Sequence, residues 1–184
     1  MTASDTVPPL LPLVEKPEDP RLREAFDKFG SGILNLHRMM AHAPALMKAS
    51  GEMALALRRE TALPRTIAEL AILRAAQILE APYVFDRHVP LARECGVTAQ
   101  QMAELVSWPD STAFTAAQKA ALGFAENVVR QLPLDEAGGA ALRSYFSPRE
   151  IVELAMVVGF YVSTALFIRA LAVPAEKSVS SGAR

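Results

Sequence analysis

Two residues of this sequence have the types and the setting for proton chemistry: Glu69 and His88. Glu69 is followed at helical spacing by Ile72, Leu73 and Ala76, so on a 3.6-residue helix its carboxylate projects from an apolar stripe. His88 has Val84 and Phe85 behind it and Leu91, Ala92 and Cys95 ahead on the same face. An imidazole gives or takes a proton near neutral pH, and a carboxylate beside it fixes its tautomer or acts as a second acid–base group. Arg65, one turn before Glu69, is a candidate anchor for a substrate carboxylate, and Tyr83, His37 and His42 are candidate pocket residues. His37 and His42 straddle an expected helix end, with His37 on an exposed turn. No compact ligand motif is present, so no metal is expected.

The elements that must position this pair are two helices joined at a sharp corner. One enters at Pro64–Arg65, the chain breaks at Glu80–Ala81–Pro82, and Pro82 opens the next helix, which Gly96 ends. A hairpin turning near Glu80 leaves Glu69 and His88 mismatched along the axis by roughly 4 to 5 Å, a gap two long side chains close. Thr98 to Gln101 and Thr115 to Gln118 each have capping-box spacing, and Ser147-Pro148-Arg149-Glu150 opens a long apolar helix ending before Pro174. Asp19 and Pro20 start the first helix, which stops at Gly30 to Gly32. Trp108 reads as a plug above Pro109. No segment asks for a strand. The expected organisation is a flexible arm over 1–18, a single all-α domain over 19–174, and a flexible tail over 175–184.

Composition sets the outer limits. Apolar residues make up 51% of the 184 and aromatic ones 7%, which suits helix-on-helix packing. The formal net charge is -1 and the basic residues are scattered, so no electrostatic footprint for nucleic acid exists. The single Cys95 forbids an internal disulfide and suits a reducing compartment, and no secretory signal is visible, so a cytoplasmic protein is expected. The uncharged run Leu154 to Ile168 is shorter than a spanning helix, so no membrane partner is expected.

The sequence also echoes itself. Pro64-Arg65-Thr66-Ile67-Ala68-Glu69-Leu70-Ala71 returns 84 positions later as Pro148-Arg149-Glu150-Ile151-Val152-Glu153-Leu154-Ala155, with six of eight positions identical. Two pseudo-repeated helical units follow as an expectation. The second copy lacks the histidine, because the counterpart of His88 is Ala172.

The stretch Leu63 to Leu105 resembles the carboxymuconolactone decarboxylase and alkylhydroperoxidase D superfamily. The likeness is carried by Pro64-Arg65 with Glu69-Leu70-Ala71, by His88 nineteen residues after Glu69, and by His88-Val89-Pro90-Leu91-Ala92-Arg93 ahead of Gly96-Val97-Thr98. Upstream, Asn35-Leu36-His37-Arg38 and His42-Ala43-Pro44-Ala45-Leu46 are similar to the segment that often precedes such domains. The hydroperoxidase branch uses a CxxCxxxH motif whose cysteine positions are here Ala81 and Val84, so that thiol chemistry is missing. The resemblance implies an alkylhydroperoxidase D-like helical bundle that self-associates as a dimer, trimer or hexamer. It further implies a cofactor-independent lyase or isomerase acting on a small carboxylated or carbonyl compound, with decarboxylation, isomerisation, hydration and lactone opening all open. Two rivals remain: a non-catalytic helical module, and residual redox activity through Cys95.

Overall fold

Prolines and short polar side chains set where the helices begin. In the computed structural model, which describes residues 7–29 and 32–176, α1 spans Pro20–Phe29, α2 Asn35–Met40, α3 Pro44–Arg59, α4 Arg65–Ile78 and α5 Pro82–Glu94. They are followed by α6 Ala99–Glu104, α7 Ala116–Arg130, α8 Glu136–Tyr145 and α9 Pro148–Ala170. No strand occurs among the described residues, and the chain is all-α. The arm over 1–6, the stop of α1 at Gly30–Ser31 and the tail over 177–184 lie outside the described residues.

The capping logic holds in detail. Thr98 and Thr115 each accept from the backbone N–H three residues on, while Gln101 and Gln118 close the boxes in return. Gln101 also donates to the Ala113 carbonyl at 3.0 Å and to Gln118 Oε1 at 3.1 Å, so the two helix starts are tied together. Asp135 accepts from the Gly138 N–H at 2.7 Å, which helps α8 form although its paired glycines cost about 2 kcal/mol against alanine. At the corner between α4 and α5, Glu80 takes a left-handed φ of +50°, a conformation that costs a non-glycine residue roughly 1–2 kcal/mol.

Contacts divide the chain into two compact units, one made of residues up to Met53 together with those from Ile168 onward, the other of Ala54–Phe167. The first is built on Leu22, Phe26, Ile33 and Ala41, with Val14 and Met47 packed against them. Here residues 7–18 have no helix, yet the Leu10 N–H donates to the Leu171 carbonyl and the Val14 N–H to the Arg38 carbonyl.

In the second unit α4 is the axis. Every residue from Ile67 to Ala76 is buried, because α5 and α7 pack on it. Leu70 and Leu73 of α4 meet Ala92, Val97, Leu105, Phe114 and Leu122, and burying each leucine stabilises the fold by about 1.5–3 kcal/mol. Two charged residues, Glu69 and Arg74, lie within this buried stretch, and Arg74 faces α7. It forms an ion pair with Glu126, donates to Gln77 Oε1 at 3.1 Å, and shares Glu126 Oε1 with the Trp108 indole N–H, 2.8 Å away. Trp108 therefore joins a half-buried polar network as well as packing against the core cluster.

The two copies of the echoed octapeptide diverge in task. Arg149 pairs with Glu153 as Arg65 does with Glu69. Glu153 Oε2, however, accepts the Ala62 and Leu63 N–H groups at 2.8 Å each, so the second copy fastens the loop that leads into α4. Beyond the octapeptide α9 runs straight on. Thr164 and Leu166, which correspond to Glu80 and Pro82 at the corner, lie inside α9, and Ala172 sits at φ +48° in the turn after it. Over an 18-residue window with mean hydropathy 2.1, α9 is long and apolar enough to cross a membrane by length and composition, with a third of that window buried. Val152, Met156 and Leu166 form its exposed apolar stripe, interspersed with exposed Gly159 and Ser163.

Candidate active site

Glu69 sits mid-way along the most buried helix, and it has no exposed surface at all. A buried carboxylate must find partners for both oxygens. Oε1 is ion-paired to Arg65, one turn back, and Oε2 lies 2.8 Å from His88 Nδ1 across the α4–α5 hairpin. The expected axial gap is closed by the side chains themselves. A carboxylate held by an arginine only accepts, so Nδ1 carries the proton and donates to Oε2. The neutral imidazole is then the Nδ1–H tautomer with its lone pair on Nε2.

His88 is 6% exposed, and the position of that residual surface matters. Among the described residues no buried side-chain nitrogen or oxygen lacks a partner, and the hydrogen bond of His88 is made through Nδ1. Nε2, which has no hydrogen-bond partner among the described residues, is therefore the nitrogen that meets solvent.

Three further groups surround the pair. The Tyr161 ring, from α9, stands perpendicular to the imidazole with centroids 4.5 Å apart and planes at 82°. Burial pushes the Tyr161 phenol up, with Arg58 and Arg65 opposing and Glu69 adding to the rise. Cys95 closes α5, half-buried rather than buried as its position on the apolar face suggested, and its carbonyl accepts from Thr66 Oγ1 at 2.8 Å. Burial and the nearby Glu69 charge raise the thiol above 9.0, against an opposing pull from Arg65. The thiol is thus protonated at neutral pH.

Other candidates are placed elsewhere. Tyr83 is half-buried in the first turn of α5. His37 lies half-buried within α2, not on an exposed turn, because α2 runs on to Met40 and the helix end falls between the two histidines. His42 is exposed in the turn before α3, its Nε2 2.8 Å from the Pro12 carbonyl. Both belong to the first unit, whereas Arg65, Glu69, His88, Cys95 and Tyr161 belong to the second. Among the described residues no group of three or more His, Cys, Asp or Glu is placed to hold a metal ion. An open groove at the hairpin corner is lined by Ala76, Gln77, Glu80, Ala81, Pro82, Phe85 and Asp86, and neither Glu69 nor His88 lines it.

Sequence reasoning missed Tyr161 and Arg58 as neighbours of the pair. The signal for Tyr161 was its presence, with Ser163 and Thr164, inside an otherwise apolar helix. Those two hydroxyls prove to be local, both donating to the Phe160 carbonyl. Only the tyrosine reaches the imidazole.

With this geometry in view, residues 44–127 match the model of the carboxymuconolactone decarboxylase family. Solved structures share the fold. An uncharacterized peroxidase-related protein from Silicibacter sp. is 22% identical with a TM-score of 0.81, the match covering 98% of each chain. A protein from Ralstonia eutropha described as an alkylhydroperoxidase AhpD core is 20% identical with a TM-score of 0.76, covering 92% of this chain and 93% of the other. The debrominase Bmp8, solved in complex with 2,3,4-tribromopyrrole, is 18% identical with a TM-score of 0.74, covering 90% and 93%. No curated protein matches the chain.

Proposed function

We propose, for a chain whose residues 44–127 match the carboxymuconolactone decarboxylase family and whose fold is alkylhydroperoxidase D-like, a cofactor-independent lyase or isomerase that works by general acid–base chemistry on a small carboxylated or carbonyl compound. The observation that supports this most is a histidine braced at Nδ1 by a fully buried glutamate, with Nε2 turned to solvent. Such an imidazole accepts a proton on Nε2 while Glu69 offsets the charge that develops on the ring. In a decarboxylation the electron pair of the breaking C–C bond enters an enolate-like anion as CO2 leaves, and Nε2–H then returns a proton to carbon. Proton removal and return at one carbon would serve isomerisation equally. Arg65 spends part of its guanidinium on Glu69, and its side chain, 26% exposed, keeps donors for a substrate carboxylate.

Thiol peroxidase chemistry fits less well. Ala81 and Val84 stand where that branch has cysteines, and the Cys95 thiol is protonated at neutral pH. A non-catalytic module is favoured by one observation, that the corner groove stops short of both Glu69 and His88. The echo supplies the control that separates the readings. In a screen of small lactones and keto acids followed by absorbance and CO2 release, Glu69→Gln should lose turnover while Glu153→Gln keeps it. No turnover by the wild type on any of them would favour the scaffold, and equal turnover in both variants would remove Glu69 from the chemistry. We further propose a cytoplasmic homo-oligomer that covers the exposed stripe of α9.

A further inference from the structure

We infer that Tyr161 is a positioning residue for His88, holding the imidazole so that Nδ1 stays on Glu69 and Nε2 faces outward. A histidine bonded at one nitrogen retains a ring flip about its Cβ–Cγ bond, which would carry Nδ1 away from its acceptor. The Tyr161 ring, perpendicular and 4.5 Å away, occupies the space that flip must sweep. Tyr161 is itself pinned: it is 9% exposed, it stands at 87° to the Phe160 ring with centroids 5.2 Å apart, and Arg58 faces its hydroxyl. Three helices therefore meet on one imidazole, α4 through the glutamate, α5 through the histidine and α9 through the tyrosine. The inference deepens the acid–base reading and rests on it for its functional meaning, since a lone pair fixed outward on Nε2 is what a general base needs.

The test uses no substrate. The chain has three histidines, so the ring signals of His88 are assigned by their loss in His88→Gln. Imidazole nitrogen shifts then report the tautomer ratio of neutral His88 in wild type, Tyr161→Phe, Tyr161→Leu and Tyr161→Met. Wild type and Tyr161→Phe, which keeps the ring, should show the Nδ1–H tautomer almost alone. Tyr161→Leu and Tyr161→Met should raise the minor Nε2–H tautomer by roughly 2- to 10-fold, the range an aromatic pair supports. Methionine fills the volume without a ring, so a folded variant is available even where leucine perturbs packing. A wild-type ratio in the folded ringless variants overturns the inference. Survival of turnover in His88→Gln would instead sink the acid–base reading and leave the tautomer result standing.

Discussion

Replacing His88 by Gln separates chemistry from structure, because the amide can still donate to Glu69 Oε2 and so leaves the buried carboxylate bonded. What the fold loses is the perpendicular contact with Tyr161, worth about 0.5–1.5 kcal/mol, and some packing at a site that is 6% exposed. A total near 1–2 kcal/mol corresponds to a fall in Tm of roughly 2–8 °C for a chain of this size. What the chemistry loses is the proposed acid–base group, and general acid–base catalysis contributes roughly 10²- to 10⁴-fold. Thermal melts and turnover on substrates found in the wild-type screen should therefore dissociate, with a small shift in the first and near abolition of the second. Turnover within about 10-fold of wild type, in a variant that melts cooperatively, would refute the assignment of His88. A loss of Tm far beyond the estimate would show that the ring is a structural keystone instead.

Three more outcomes follow from the same geometry. Glu69→Gln removes the negative charge that raises the Cys95 thiol and frees Arg65 to lower it, so reaction with a thiol reagent near pH 8 should quicken several-fold; an unchanged or slower rate contradicts the electrostatics. Burial pushes Glu126 up, but the Trp108 and Arg74 hydrogen bonds and the Arg74 and Arg130 charges outweigh it, leaving the carboxyl below 4.5. A depressed folded pKa gives stability that is whole above the unfolded value and lost as pH falls through the folded one, so the gap between wild type and Glu126→Gln in denaturant melts should narrow below about pH 4.5. Finally, Met156→Glu on the exposed stripe of α9 should shift a wild-type oligomer toward monomer by size exclusion with light scattering, while Arg169→Glu at the helix end should not.

The helix starts were readable in the sequence because capping is local: a threonine and a glutamine three residues on carry the whole instruction at Thr98 and Thr115. Glu69 and His88 were readable for a related reason. Each lies on an apolar helical face, and Pro82 marks the corner that folds one face onto the other. What stayed hidden depends on contacts between distant segments. Arg74 interrupts a buried helix in plain view, but nothing near it in the chain names Glu126 and Trp108 as its partners. The echo at Glu153 was visible, whereas its grip on the Ala62 and Leu63 N–H groups belongs to a loop brought alongside α9 only by folding. Tyr161 reaches His88 in the same way.

The uninterrupted course of α9 also bears on whether the proposed Glu–His pair has a twin in the second copy. Writing a histidine in place of Ala172 would restore the lettering of the first octapeptide's neighbourhood but not its corner, since Thr164 and Leu166, the counterparts of Glu80 and Pro82, lie inside α9. A twin centre would first need a bend cut into the rod near Thr164 and Leu166. One copy of the duplicated signature accordingly fastens a loop, while the other carries the pair proposed for acid–base work.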